Sequence, residues 1–199
     1  MSQSDAARWE ARYQAGTAAY AAQPSAFVLD WLPRLPRGRA LDVACGLGAT
    51  AIALAEAGFD VTAIDIAPTA LARAREEAVR HEVTVDWQCA DLSDLRLPLA
   101  QYDLIVNIHF VNRDLTAQFA DALRPGGHVL FEQHLRWPQP VAGPGSPHFR
   151  LRPGELRHLL WQLDIVHNEE GPFPGADADS RFALARAVAR RPPAGSDVK

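Results

Sequence analysis

The sequence predicts an α/β protein built on a doubly wound, seven-stranded sheet, mostly parallel, with an antiparallel terminal strand and helices on both faces. Three observations carry that expectation. Short apolar runs alternate with helix-period segments five times, glycine and proline punctuate the boundaries, and a final pair of strand-like runs closes the chain.

Residues 4–15 hold good helix formers and set Trp9 and Tyr13 four apart on one helix face. Pro24 to Leu32 predicts a second short helix, opened by Pro-Ser and ended by Pro33. Gly38 to Ala44 is a short apolar run suited to a buried strand, and residues 48–57 follow as a helix closed at Gly58. Val61 to Asp65 gives the second strand. Pro68 to His81 gives a helix with proline in its first turn, and Val83 to Cys89 the third strand. Tyr102 to Ile108 is almost wholly apolar, as suits a strand covered on both faces. A helix is expected over 113–123, stopped by Arg124-Pro125-Gly126-Gly127, before a fifth strand from His128 to His134. Residues 136–153 are rich in proline and glycine and predict a loop over the active site, long for a passive connection. A helix over 153–162 and strands over 163–169 and 182–190 finish a single domain spanning 1–191, with 192–199 as a disordered tail.

At 199 residues, 48% of them hydrophobic and 22% charged, the chain can bury a core without metal or disulfide staples. A net charge of −4 argues against a nucleic-acid grip built on a basic face. The single lysine is Lys199, and arginine stays charged, so a general base has to be His, Asp, Glu or Tyr. Cys45 and Cys89 fall in segments expected to be internal, as buried small hydrophobes of a reducing compartment. They belong to no CxxC or Cys/His spacing, and the histidines are scattered, so no metal site is expected. There is no basic-then-apolar N-terminal segment, and no apolar run approaches the ~20 residues that cross a membrane. The expected setting is cytoplasmic, as a monomer or homodimer without a membrane partner.

In a doubly wound sheet, ligands collect at the carboxyl ends of the strands, beside the first one. That points to Ala44–Gly48, Asp65, Asp91 and Asn107–Phe110. Gly46 and Gly48 lie between the first strand and its helix, where backbone must come close to a ligand. The spacing by itself admits two cofactors. Gly46-x-Gly48-x-x-Ala51 with Asp65 further on also fits a dinucleotide fingerprint. Asp42 favours the other: a carboxylate beside the loop repels a pyrophosphate and suits a phosphate-free cofactor with a positive amino group.

Asp42-x-x-Cys45-Gly46-x-Gly48 after a strand, with Asp65 ending the next, resembles class I S-adenosylmethionine-dependent methyltransferases, which have a Rossmann-like fold. Ala90-Asp91-Leu92 resembles the third motif of that family, Tyr102 to Val106 its fourth strand, and Leu123 to Gly127 the turn before its fifth. Trp9-Glu10-Ala11-Arg12-Tyr13 followed by Pro24-Ser25 is similar to small bacterial methyltransferases of the tellurite-resistance type, whose N-terminal segment closes over the cofactor. Residues 1–35 take that place here.

The resemblance implies S-adenosylmethionine as cofactor and S-adenosylhomocysteine as product. It implies that Gly46 and Gly48 pack on the methionine part, Asp42 faces its ammonium, and Asp65 takes both ribose hydroxyls. Ile66 and Leu92 would flank the adenine and Asp91 would meet its amino group, unless Asp91 is only a helix N-cap. Ala44, Ala90, Asn107 and Ile108 complete the expected wall, with Arg12 and Tyr13 on the cofactor carboxylate. On the acceptor side His109 is the candidate base. Glu132 and Arg113 are further catalytic candidates or an ion pair shaping the pocket, and Trp137, His148 and Phe149 could line it. Glu132 and His134 share one strand face. A small acceptor is expected: a thiol, chalcogen oxyanion, amine or hydroxyl. The alternatives are a non-catalytic cofactor-binding sensor or partner subunit, and an NAD-dependent oxidoreductase, for which no hydride-transfer dyad is recognisable.

Overall fold

A computed structural model of the chain describes residues 3–16, 23–175 and 181–195. Its sheet has seven strands: β1 (Arg39–Val43), β2 (Asp60–Asp65), β3 (Asp86–Cys89), β4 (Tyr102–Ile108), β5 (Leu123–His134), β6 (Asp164–Pro174) and β7 (Arg181–Arg190). Their order is β3-β2-β1-β4-β5-β7-β6. Pairings among β1 to β5 are parallel, and β7 runs antiparallel to both β5 and β6. The winding reverses between β1 and β4, which opens a crevice at their carboxyl ends.

Alternate side chains of each strand point to opposite faces, so the apolar runs feed two cores. On one face α2 (Ala26–Trp31), α3 (Ala49–Glu56) and α4 (Pro68–Arg80) bring Phe27, Leu54 and Leu71 against Leu104, Val106 and Leu130. On the other, α5 (Arg113–Thr116), α6 (Phe119–Ala122) and α7 (Glu155–Leu159) bring Leu115, Phe119 and Leu156 against Ile105, Val129 and Phe131. The expected doubly wound architecture is therefore present. Helix α1 (Gln3–Gln14) docks on the start of α4. Glu10 accepts from the Thr69 backbone N–H (3.2 Å) and from its hydroxyl, while Trp9 and Tyr13 pack against Ala67 and Ala70.

Several expectations change in detail. The helix expected over 113–123 is two single turns. Asn112 caps α5 by accepting from Leu115 N–H (3.0 Å). The Gln118 side chain between the turns is held by the preceding loop, accepting from Leu97 N–H (3.0 Å) and donating to the Leu95 carbonyl (3.3 Å). Arg124 to Gly127 is not a turn outside the sheet but the irregular start of β5, where pairing to β4 slips between Tyr102 and Leu104. β3 is an edge strand, which leaves Cys89 exposed while Cys45 is buried. The 136–153 segment is tied down by Arg150, whose guanidinium donates to the carbonyls of Pro144 (2.8 Å), Leu135 (3.0 Å) and Ala142 (3.1 Å). Of the expected tail, 196–199 lie outside the described residues, as do 1–2 and 17–22 of the N-terminal segment. No described helix is long and apolar enough to cross a membrane.

Candidate functional site

The crevice at the switch point is a cavity of about 890 Å³, within the range of small-molecule sites. Its floor is the carboxyl ends of β1, β2, β4 and β5; α1, residues 23–26 and residues 143–146 with Phe149 wall it above. Two non-glycine residues at the strand ends adopt left-handed backbone: Ala44 after β1 (φ 56°) and His109 after β4 (φ 59°). Such conformations concentrate where a site needs a backbone or side chain re-aimed.

At the β1–β2 end two carboxylates share the cavity. Asp42 is 2% exposed, and its Oδ2 has no hydrogen-bond partner among the described residues. Burial, joined by the charge of Asp65, pushes its pKa up to about 8. Asp65 accepts from Gly46 N–H at Oδ2 (2.8 Å) and from Ala67 N–H at Oδ1 (2.9 Å). Burial raises its pKa against those two bonds. A carboxylate has about four acceptor sites, so both oxygens of Asp65 can accept again. This donor-hungry pair fits a group with hydroxyls and a positive charge, which would favour the ionised form of Asp42, and it opposes a pyrophosphate.

Ala44, Gly46, Ile66, Leu92 and Ile108 line the same cavity, as do Arg12 and Tyr13 from α1. Tyr13 is buried, and burial followed by the Asp65 charge pushes its hydroxyl pKa upward. The Arg12 guanidinium lies 4.7 Å from the Trp9 ring centroid. Gly48 does not face the cavity. It adopts φ 81°, and a Cβ there would stand 2.5 Å from Trp87 Cη2 and 2.8 Å from the Ala74 Cβ. It is a packing glycine that lets α3 approach β3 and α4. Ala90, Asp91 and Asn107 also stand back from the lining. Asp91 Oδ1 accepts from the Ser93 N–H (2.9 Å) and hydroxyl (2.7 Å) in a local turn that no helix follows, so the helix-cap alternative does not apply. Asn107 is buried behind the floor, with neither amide atom partnered among the described residues.

At the β4–β5 end the structure brings together His109, Glu132 and His134. His109 Nε2 is 3.2 Å from Glu132 Oε1, and its ring stacks on His134 at 4.4 Å between centroids, 17° from parallel. Arg113 takes no part in this cluster. As the first residue of α5 it points away and its Nε donates to Glu155 Oε1 (2.6 Å), so the expected Glu132–Arg113 pair does not form. The partner of Glu132 is Arg186 of β7, whose Nε donates to Oε2 (2.6 Å). Sequence reasoning missed Arg186. A lone arginine between Ala183-Leu184-Ala185 and Ala187-Val188-Ala189, in a strand this apolar, was the available signal, since a buried charge demands a partner. Of the loop candidates, Phe149 reaches the cavity; Trp137 and His148 do not. Among the described residues no group of three or more His, Cys, Asp or Glu could hold a metal.

Residues 40–127 match a family model described as a methyltransferase domain. That match covers less than half of the chain, the part that runs from β1 to the start of β5. The donor-hungry carboxylates suit a ligand that brings hydroxyls and an ammonium group, as S-adenosylmethionine does. The chain is 31% identical over 121 residues to the ubiquinone biosynthesis O-methyltransferase of Bordetella avium, covering 56% of this chain and 50% of the relative. It is 37% identical over 111 residues to a ribosomal-protein methyltransferase of Symbiobacterium thermophilum, covering 53% of this chain and 36% of the relative. The chain thus spans half or less of the length of both relatives. Among solved structures, TehB from Haemophilus influenzae superposes with a TM-score of 0.73 at 20% identity, covering 92% of this chain and 67% of that one, a likeness of fold.

Proposed function

We propose that the protein transfers a methyl group from S-adenosylmethionine to a small-molecule acceptor. The observation that carries this reading is the pair of buried carboxylates, Asp42 and Asp65, which face one cavity with accepting capacity left over. Bound there, the cofactor supplies an activated methyl on a sulfonium. Asp42 holds the ammonium, Asp65 the ribose hydroxyls, and Ile66 and Leu92 the adenine faces, with Ala90 and Asp91 at its edge. Gly46, Ala44, Asn107 and Ile108 shape the floor, and Arg12 with Tyr13 receives the carboxylate. His109 and Glu132 stand on the acceptor side, and α1 with residues 23–26 covers the cofactor.

A small acceptor fits a cavity already roofed by α1 and residues 143–146 with Phe149, and the net charge of −4 disfavours nucleic acid. The relatives named above differ in acceptor, one acting in ubiquinone biosynthesis and one on a ribosomal protein, so family alone does not choose it. A thiol, chalcogen oxyanion, amine or hydroxyl all suit in-line displacement, for which positioning alone lowers the barrier by roughly 7–11 kcal/mol. We expect a cytoplasmic monomer or homodimer.

Calorimetric titration with S-adenosylmethionine, S-adenosylhomocysteine and NAD tests the reading. Both sulfur compounds should bind at micromolar strength, and Asp65→Ala should weaken them at least about tenfold, the loss of one or two charge-assisted hydrogen bonds. NAD binding without the sulfur compounds would turn the site into that of an oxidoreductase.

A further inference from the structure

We infer that the acceptor is a neutral, planar hydroxyl compound of the phenol or enol class, deprotonated at Nδ1 of His109. This rests on the methyl-transfer reading above and narrows it to one acceptor chemistry.

The geometry defines the imidazole closely. Its Nε2 meets Glu132 Oε1 at 3.2 Å, and its backbone N–H donates to the Glu132 carbonyl at 2.8 Å. A carboxylate only accepts, so Nε2 carries a hydrogen, and in the neutral form of the ring, which lines the cavity, Nδ1 holds the lone pair. Glu132 is anionic. Burial works to raise its pKa, but the bonds from His109 and Arg186 outweigh it and hold it below the usual range. Arg186 is held in turn by Glu169 (3.3 Å) and by the Phe173 ring, 4.0 Å from the guanidinium carbon. His134 lies against one face of the His109 ring. Burial first, then the charges of His109 and Arg150, lower its pKa to about 3, so it stays neutral. The groups facing His109 are therefore Glu132 and His134 of β5, Arg186 of β7, and Arg150 behind His134.

This arrangement discriminates among acceptors. A chalcogen oxyanion arrives ionised and needs no base, and a thiol, with a pKa of about 8.5, leans on one less than a phenol does. An ammonium would bring a second positive charge beside the sulfonium. A phenol, with a pKa near 10, is neutral at physiological pH and must lose its proton as the new bond forms. Its ring suits a wall that contains His109, Phe110, Phe149 and Phe182. Gly143 lets that wall close up, because a Cβ there would lie 2.7 Å from His134. In the balanced step the hydroxyl proton moves to His109 Nδ1 and an oxygen lone pair forms the O–CH3 bond. The C–S pair stays on sulfur, and the imidazolium later returns the proton to water.

The test uses the whole protein with catechol, phenol and 4-nitrophenol as acceptors, beside dithiothreitol and tellurite. His109→Gln should reduce turnover of catechol and phenol at least about 100-fold, the size of a general-base contribution, with little change in KM. It should reduce turnover of 4-nitrophenol, already substantially ionised near neutral pH, far less. Nitrogen-15 NMR of the wild type should show His109 protonated at Nε2, with Nδ1 shifting when catechol is added in the presence of S-adenosylhomocysteine. Equal losses for all three phenols, or protonation at Nδ1, overturns the base assignment. If both sulfur compounds bind but no phenol is methylated, the inference falls and the proposed function stands; if they do not bind, the proposed function itself fails.

Discussion

The two ends of the cavity hold buried carboxylates of the same kind in opposite circumstances. Asp42 is sealed from water with one oxygen unpartnered, and the nearby Asp65 adds to its difficulty. Glu132, equally buried at 3% exposure, has His109 on one oxygen and Arg186 on the other. One site is incomplete within the chain and calls for a ligand; the other is complete and presents a finished tool. A carboxylate that waits for its partner marks the place where something binds, whereas one that already has partners orients the groups that act.

Replacing one carboxyl group at each end by its amide should separate them most sharply. Glu132→Gln leaves Arg186 with only the more exposed Glu169 as counter-ion, and a broken buried pair costs up to roughly 3–5 kcal/mol. Urea denaturation should show that loss in the free protein, whereas Asp42→Asn should leave the free protein as stable or more so and weaken only cofactor binding. Equal losses in the two variants would erase the distinction. A slightly smaller effect is expected at Gly48, where alanine meets both left-handed strain and the Trp87 ring. About 2–4 kcal/mol should be lost. A purely cofactor-binding glycine would instead leave stability intact and lower affinity.

The smallest effect is in pH dependence. The folded-state pKa of Asp42, about 8, lies above its ordinary 3.8, so between those values the folded chain holds a proton that the unfolded chain has released. Its contribution to stability is present below the unfolded value and is lost as pH rises through about 8. Melting temperature of the free protein should fall over that window with a slope of about one proton, and Asp42→Asn should remove that part of the slope. Cofactor affinity should rise over the same window as Asp42 ionises. A flat profile in the wild type would mean that Asp42 has found a partner.

How far each end was legible in the sequence follows from how local its construction is. The glycine loop, Asp42 and Asp65 sit at strand ends within two consecutive β–α units, so period and punctuation placed them together. Gly48 was read as a ligand contact, and the same turn also permits close packing, which only Trp87, 39 residues on, reveals. Helix 113–123 was overestimated because apolar spacing cannot reveal that the Gln118 side chain is engaged by the loop before β4. Cys89 was read as internal because an apolar neighbourhood does not say that its strand is the sheet edge.

The sequence by itself determined the alternating architecture, the two cores and the position of the crevice, because strand and helix periods are set by local backbone geometry and patterned burial. The pairing of Glu132 with Arg186 rather than Arg113 was decided by tertiary structure alone. That choice depends on β7 inserting antiparallel beside β5, which places residue 186 opposite residue 132 across 54 positions of chain. Charges choose partners by distance, and distance across a sheet is not written in any one segment.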